Sequence, residues 1–482
     1  MRYVLPALAL ACALAQAAFG PNLRVDHENR ATNGCFNAAI ASGPAIYVAF
    51  QDDSMAGIVT VRSDIRFQKS TDGGASFLPQ DVTVRRGQVF ACYPDISFDR
   101  RGDLYIVYTE RAAGGLTGHL YCVHSSDQGA TWSIPSRIDD NPNGVAVGWG
   151  RVVADTAGNL FCAWNDQRLS YLHIWSSTSA DQGTTWSANV RVDADTVSSD
   201  CYQTDVAVQP GTNQYLVAAT NPYYVRPHNI SSHSVLSRST DGGRTFLPAT
   251  VLDTFTGYCG QPHVVADQGY IITDFTGSGG GNQNLTQART SSDGGVTWSP
   301  PAAVTDLDTL YSSYYNGAKL ALDGTGAVQT ALMVCDLASY TYSIYHSYSV
   351  DHGLNWSERE LVNEISGVVI ADPDVAADSS GSAYVTWQDG RNYRNEIWFA
   401  TNHLAGVSEH SRGADRSGIR LPGIARGTLL LPGKSPALLL NISGRRVGEL
   451  APGTNDLHGF APGIYFLRRE SAQAVHKLVI AR

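Results

Sequence analysis

One eight-residue pattern, Ser-x-Asp-x-Gly-x-(Thr/Ser/Asn)-aromatic, occurs six times and constrains the fold more than any other feature of the chain. The copies are Ser70–Phe77 (STDGGASF), Ser125–Trp132 (SSDQGATW), Ser179–Trp186 (SADQGTTW), Ser239–Phe246 (STDGGRTF), Ser291–Trp298 (SSDGGVTW) and Ser349–Trp356 (SVDHGLNW). Their aspartates, Asp72, Asp127, Asp181, Asp241, Asp293 and Asp351, follow one another at steps of 55, 54, 60, 52 and 58 residues. Self-similarity at such a period implies an array of like units.

Each position of the pattern has a structural task. A short acidic side chain accepts hydrogen bonds from its own turn. Glycine supplies a backbone angle that other residues avoid. The aromatic ring is placed to bury itself between neighbouring units. Six near-identical copies cannot all be an active site, so the six aspartates are expected to hold turns rather than to catalyse.

A second pattern lies between the turns. Pro94–Glu110, Arg151–Asp166 and Pro373–Asp389 each read as a short apolar strand, a tight turn and an alternating aromatic and β-branched strand. Weaker copies at 37–52, 204–220, 262–275 and 318–336 bring the hairpins to seven. A third strand, the repeated turn and a fourth strand follow, and a four-stranded unit repeated radially is a propeller blade. The seventh hairpin has a third strand, Glu396–Thr401, and no turn after it. Pro21–Asp26 (PNLRVD) resembles the fourth strands, above all Asn189–Asp193. The expected fold is therefore all-β, with seven blades closed by the N-terminal strand, which leaves no unpaired edge. Six blades with an extra hairpin are the alternative.

With six such turns in place, residues 21–404 resemble the Asp-box, or bacterial neuraminidase repeat, proteins, the sialidase-like β-propellers. The resemblance implies the fold. It implies less about activity, since that fold carries both hydrolases and binding proteins.

Residues 1–18 have the form of a secretory leader: Arg2, an apolar run from Val4 to Leu14, and Ala15-Gln16-Ala17 as a cleavage site. Cys12 admits a lipoprotein variant. No later run is long and apolar enough to span a membrane. A net charge of −10 argues against nucleic-acid partners. No Cys-x-x-Cys pair or histidine cluster occurs, so neither a metal site nor another cofactor is expected. Seven cysteines follow the leader. Cys35 and Cys92 precede adjacent first strands, as do Cys201 and Cys259, which suggests the disulfides Cys35–Cys92 and Cys201–Cys259.

Residues 405–420 read as a polar linker. From 421 to 482, short apolar strands split by Gly and Pro suggest a small β-sandwich. Asn441–Val447, Leu457–Phe466 and Lys477–Arg482 resemble the C-terminal sorting domain of type IX secretion cargo, which implies a secretion-machinery partner and a secreted or cell-surface location. The segment lacks the Asn-Pro opening of such domains, and a terminal immunoglobulin-like accessory module is the alternative.

The starts of the first strands lie on the face opposite the repeated turns. Tyr93, Asp95, Trp149, Arg151, Tyr202, Gln203, His263, Tyr315 and Asp374 occupy that face as candidate ligand contacts. Aromatic faces stack on sugar C–H surfaces, and amides and carboxylates fork onto hydroxyls. Sialidases grip a carboxylate with three arginines and use a tyrosine nucleophile. Arg151, Arg168 and Arg391, with Tyr202, Asp205 and Asp95, are the nominal counterparts here. The Phe/Tyr-Arg-Ile-Pro motif of those enzymes is absent, the nearest arginines being Arg24 and Arg30. The favoured reading is an exported, surface-associated propeller that binds an extracellular glycan or glycoprotein. An exo-sialidase or related glycoside hydrolase and a structural or adhesive scaffold are the alternatives.

Overall fold

The computed structural model describes the chain except residues 1–18, 28–34, 56–60, 87–89, 112–116, 143, 156, 170, 194–200, 225–229, 256–258, 279–283, 305–310, 366–369, 393, 404–423, 427, 432–436, 441–445, 458, 461–462, 469–474 and 482. The leader, the linker and Arg30 fall outside these residues. The chain divides into two compact units, one running to His403 and one from Leu404. No helix occurs among the described residues.

In the first unit one motif recurs. A first strand pairs antiparallel with a second, the second with a third, and the third with a short fourth. The first strands are Cys35–Ser42, Phe90–Phe98, Val145–Ala154, Tyr202–Val208, Cys259–Ala266, Tyr311–Leu322 and Ile370–Ala377. Each names its module below. Short bridges, Ser63 to Phe90 and Val145 to Gly118, join the first three modules into one sheet. The Ile370 module has no fourth strand of its own. Leu23–Arg24 takes that place, with Leu23 opposite Phe399 and Arg24 opposite Trp398. Asp26 accepts from the Ile397 N–H at 2.7 Å, and Val25 is fully buried among Phe50, Ile397 and Phe399. Successive first strands pack side by side, and Ile370–Ala377 packs against Cys35–Ser42. The arrangement is that of a β-propeller.

The repeated turns are built as the pattern requires. In each, the serine hydroxyl donates to the aspartate at 2.7–2.8 Å and accepts the glycine N–H at 2.8–2.9 Å. The Ser, Thr or Asn side chain four residues past the aspartate donates to its other oxygen at 2.5–2.6 Å. The aromatic then wedges into the preceding module. Trp132 meets Phe67 edge-on at 5.3 Å, and Phe77 meets Phe399 at 5.1 Å. Gly129 stands at φ +87°, where a Cβ would run into the Phe67 ring.

The second unit holds a five-stranded sheet in the order Ile424–Arg426, Val475–Ala481, Gly463–Arg468, Ala437–Leu440, Arg446–Leu450. Thr428–Leu431 pairs separately with Gly453–Asp456. Its core includes Leu429, Leu439, Leu450, Leu467 and Leu478.

The proposed disulfides are not formed. Cys35, Cys92 and Cys259 carry free thiols, and all four cysteines are buried. Neighbouring strands bring the backbones near one another, but the side chains enter separate cores. Cys201 packs with Phe161 and Val217, and Cys259 with Leu216 and Phe275. Burial pushes the Cys92 thiol up to about 12 and Cys35 well above its ordinary value, so these thiols are poor nucleophiles.

Two expectations follow. Val25→Asp places a charge in the seam beside Glu396–Thr401 and should cost about 3 kcal/mol or more. Urea unfolding followed by tryptophan fluorescence measures this, and an unchanged midpoint would contradict the seam's role. Hydrogen bonds from Thr131 hold Asp127, and bonds from Thr245 hold Asp241, down at about 2. A lowered folded-state value gives stability that is complete above the ordinary carboxylate range and drains as pH falls through the folded value. The melting temperature should therefore fall between about pH 4 and pH 2, and Asp241→Asn should flatten that slope.

Candidate functional site

The register of the sheets fixes which end of each module carries the site. Leu104, which opens a second strand, pairs with Phe98 at the end of the first strand and with Ser125 at the start of the repeated turn. The turns thus sit with the ends of the first strands, and the starts of the first strands lie at the other end. At that other end a cavity of about 170 Å³ opens to solvent, and none of the six turn aspartates lines it.

Every first strand carries a bulge near its start. Register shifts fall between Phe36 and Ala39, Cys92 and Asp95, Gly148 and Arg151, Tyr202 and Asp205, Gly260 and His263, Ser313 and Ala318, and Ala371 and Asp374. In six of these bulges one residue takes a left-handed backbone: Asn37 (φ +48°), Tyr93 (+54°), Trp149 (+46°), Gln203 (+58°), Gln261 (+49°) and Asp372 (+48°). All six line the cavity. Glycine would occupy such positions without strain, whereas bulky side chains there are outliers. Strain of this kind gathers at functional sites.

The ring has two characters. Tyr93 and Trp149 form an aromatic pair with centroids 5.5 Å apart, and Trp149 is 39% exposed. Gln203, Gln261, Asn37 and Asp372 supply amides and a carboxylate. Two of these amides also brace the rim. Gln203 Oε1 accepts the Gln261 N–H at 3.2 Å, and Asn37 donates to Gln51 Oε1 at 3.0 Å.

Charged groups lie among them. Arg151 lines the cavity and donates to Asp95 at 3.4 Å. Burial alone would lower the Arg151 pKa, but Asp95, Asp205, Asp374 and Asp372 together outweigh it and raise it. Lys319, one of four lysines in the chain, also lines the cavity. Burial raises the Asp372 and Asp95 pKa values against the pull of Lys319 and Arg151. His263 Nδ1 lies 3.1 Å from Asp274, a fully buried carboxylate whose second oxygen has no partner among the described residues.

Three of the candidate acids have structural work. Asp95 accepts the Val152 N–H at 2.8 Å, Asp205 the Val264 N–H at 3.0 Å, and Asp374 the Ile40 N–H at 3.1 Å. Each ties its module to the next. Of the three, only Asp374 also lines the cavity. Tyr202 and Tyr315 lie in bulged strands, but their side chains fall outside the described residues.

The three arginines do not converge. Arg168 grips Asp166 at 2.6 Å, reaches Asp140, and lies 4.1 Å above the Trp175 ring. Arg391 grips Asp389 at 2.5 Å and lies 3.7 Å above Trp398. Arg168 lies at the end of a second strand and Arg391 just past one, and neither lines the cavity. An acid two residues before an arginine closes such a pair locally, and chain spacing alone does not reveal where the pair points. Arg24 is likewise held by Asp26 and Glu396.

Lys319 and Asp274 went unseen in the sequence. Lys319 lies beyond the aromatic start of its strand, and Asp274 lies on a second strand. The rarity of lysine was the one available signal.

A BNR repeat-like domain matches residues 89–272. No curated protein matches the chain. Among similar solved structures is an ulvan lyase of polysaccharide lyase family PL25, with 13% identity and a TM-score of 0.50, covering 81% of this chain and 97% of its own. An α-L-arabinanase from Penicillium chrysogenum shows 14% identity and a TM-score of 0.47, covering 80% and 98%. A Trypanosoma rangeli sialidase mutant shows 11% identity and a TM-score of 0.45, covering 81% and 60%. The BNR repeat-like match lies within a unit folded as a β-propeller.

Asp389 is fully buried, so Arg391→Ala leaves an uncompensated charge and should cost about 3 kcal/mol. Chemical denaturation tests this. A loss below about 1 kcal/mol would mean that the pair is not a pin.

Proposed function

We propose that this chain is an exported, surface-associated glycan-binding protein. In this reading the propeller has seven blades, closed by the N-terminal strand. The cavity at the first-strand starts takes one or a few sugar units of an extracellular glycan or glycoprotein. One observation carries the reading: the strained bulges present an aromatic pair, Tyr93 and Trp149, beside amides and a carboxylate around a single open cavity. Aromatic rings cover the apolar face of a sugar while amides and carboxylates take its hydroxyls.

Two features support export. Residues 1–18 have the form of a leader, and residues 421–482 resemble a type IX sorting domain, which we read as a small β-sandwich that engages secretion machinery. The dispersed arginines weigh against a sialidase, because a carboxylate clamp needs its guanidinium groups on one point.

A glycan array probed with the secreted protein, run beside a fluorogenic sialoside assay, tests the proposal. Binding without sialoside turnover is expected. Trp149→Ala should weaken the best array ligand about tenfold or more through loss of stacking. Undiminished binding by that variant would remove the cavity from consideration.

A further inference from the structure

We propose that the cavity is selective for uncharged glycans over sugars bearing a carboxylate, and that Asp372 sets this preference. The inference rests on the glycan reading above and adds the chemical class of the ligand.

Arg151 and Lys319 are the cavity's lysine and arginine side chains among the described residues. The charge of Arg151 is already answered. Asp95 accepts from Arg151, and Asp205, Asp374 and Asp372 act on the same guanidinium. Lys319 acts in turn on Asp95 and Asp372. Asp372 and Asp374 line the cavity beside them and Asp95 is bound to Arg151, so three carboxylates stand against two cations. A sugar carboxylate entering this half-buried space adds to an excess of negative charge where water screens poorly.

The four acids are not equivalent. Asp95, Asp205 and Asp374 each accept a backbone N–H from the next module. Asp372 has no hydrogen-bond partner among the described residues, yet it lines the cavity from a left-handed bulge. An ionised carboxylate only accepts hydrogen bonds, and sugar hydroxyls donate them. Asp372 is thus placed to take hydroxyls and to repel anions. The equivalent position of the Cys35 module holds Asn37 at the same φ of +48°. Asp372→Asn therefore removes the charge while keeping a residue that this backbone accepts.

The test uses the full chain and paired oligosaccharides, each neutral sugar beside its C6-oxidised uronate, measured by isothermal titration calorimetry. Wild type should bind the neutral member at least about tenfold tighter. D372N, with an unchanged melting temperature, should narrow the gap to about threefold or less by gaining affinity for the uronate. Equal or tighter binding of the uronate by wild type, or a gap that D372N leaves intact, overturns the preference. If wild type binds neither member of any pair, the glycan reading falls and this proposal with it.

Discussion

The molecule depends on a hydrogen bond between modules: a first-strand carboxylate accepts an N–H from the first strand of its neighbour. Asp95 does this for Val152, Asp205 for Val264 and Asp374 for Ile40. The last bond joins the Ile370 module to the Cys35 module, far apart in sequence. A buried N–H without an acceptor is costly, so each such bond fixes how far two neighbouring sheets can slide. The repeated turns do the same at the opposite end, through aromatic wedges such as Trp132 on Phe67. With both ends held, the bulges between them are positioned to within the tolerance of packed side chains.

That rigidity is what lets the site carry strain. Tyr93 and Trp149 stand in a backbone region that bulky side chains avoid. The surrounding ladder resumes register two residues later in every case but the Tyr311 module, where the shift spans Ser313 to Ala318. The strain is therefore local, and the sheet does not relax it. A site assembled this way is preorganised, which lowers the ordering cost of binding a flexible chain of sugars.

Much of the fold was legible in the sequence because its determinants are local. The Ser-Asp-Gly-aromatic turn encodes its own hydrogen bonds, so six copies announce six corners. The likeness of Pro21–Asp26 to Asn189–Asp193 announced its place beside Glu396–Thr401, which the pairing of Leu23 with Phe399 shows. The cavity lining was legible to the extent that it follows the starts of the first strands. What could not be read depends on side-chain direction. Arg168 and Arg391 resemble clamp residues in the sequence but fold back onto Asp166 and Asp389. Cys201 and Cys259 occupy equivalent positions yet enter separate cores. The left-handed bulges carry no glycine signature, so nothing in the composition at Tyr93 or Trp149 announces them.

The seam between Leu23–Arg24 and the strand Glu396–Thr401 also bears on biosynthesis. The partners Leu23 and Phe399 are separated by 376 residues, 399 less 23, so Leu23–Arg24 must wait for the last strand of the first unit. Contacts of such long range form late and slowly. Until the ribosome has finished this region, Leu23–Arg24 has no strand in the nascent polypeptide to pair with. Any partner that shields the unfinished chain has its moment before that early strand is paired.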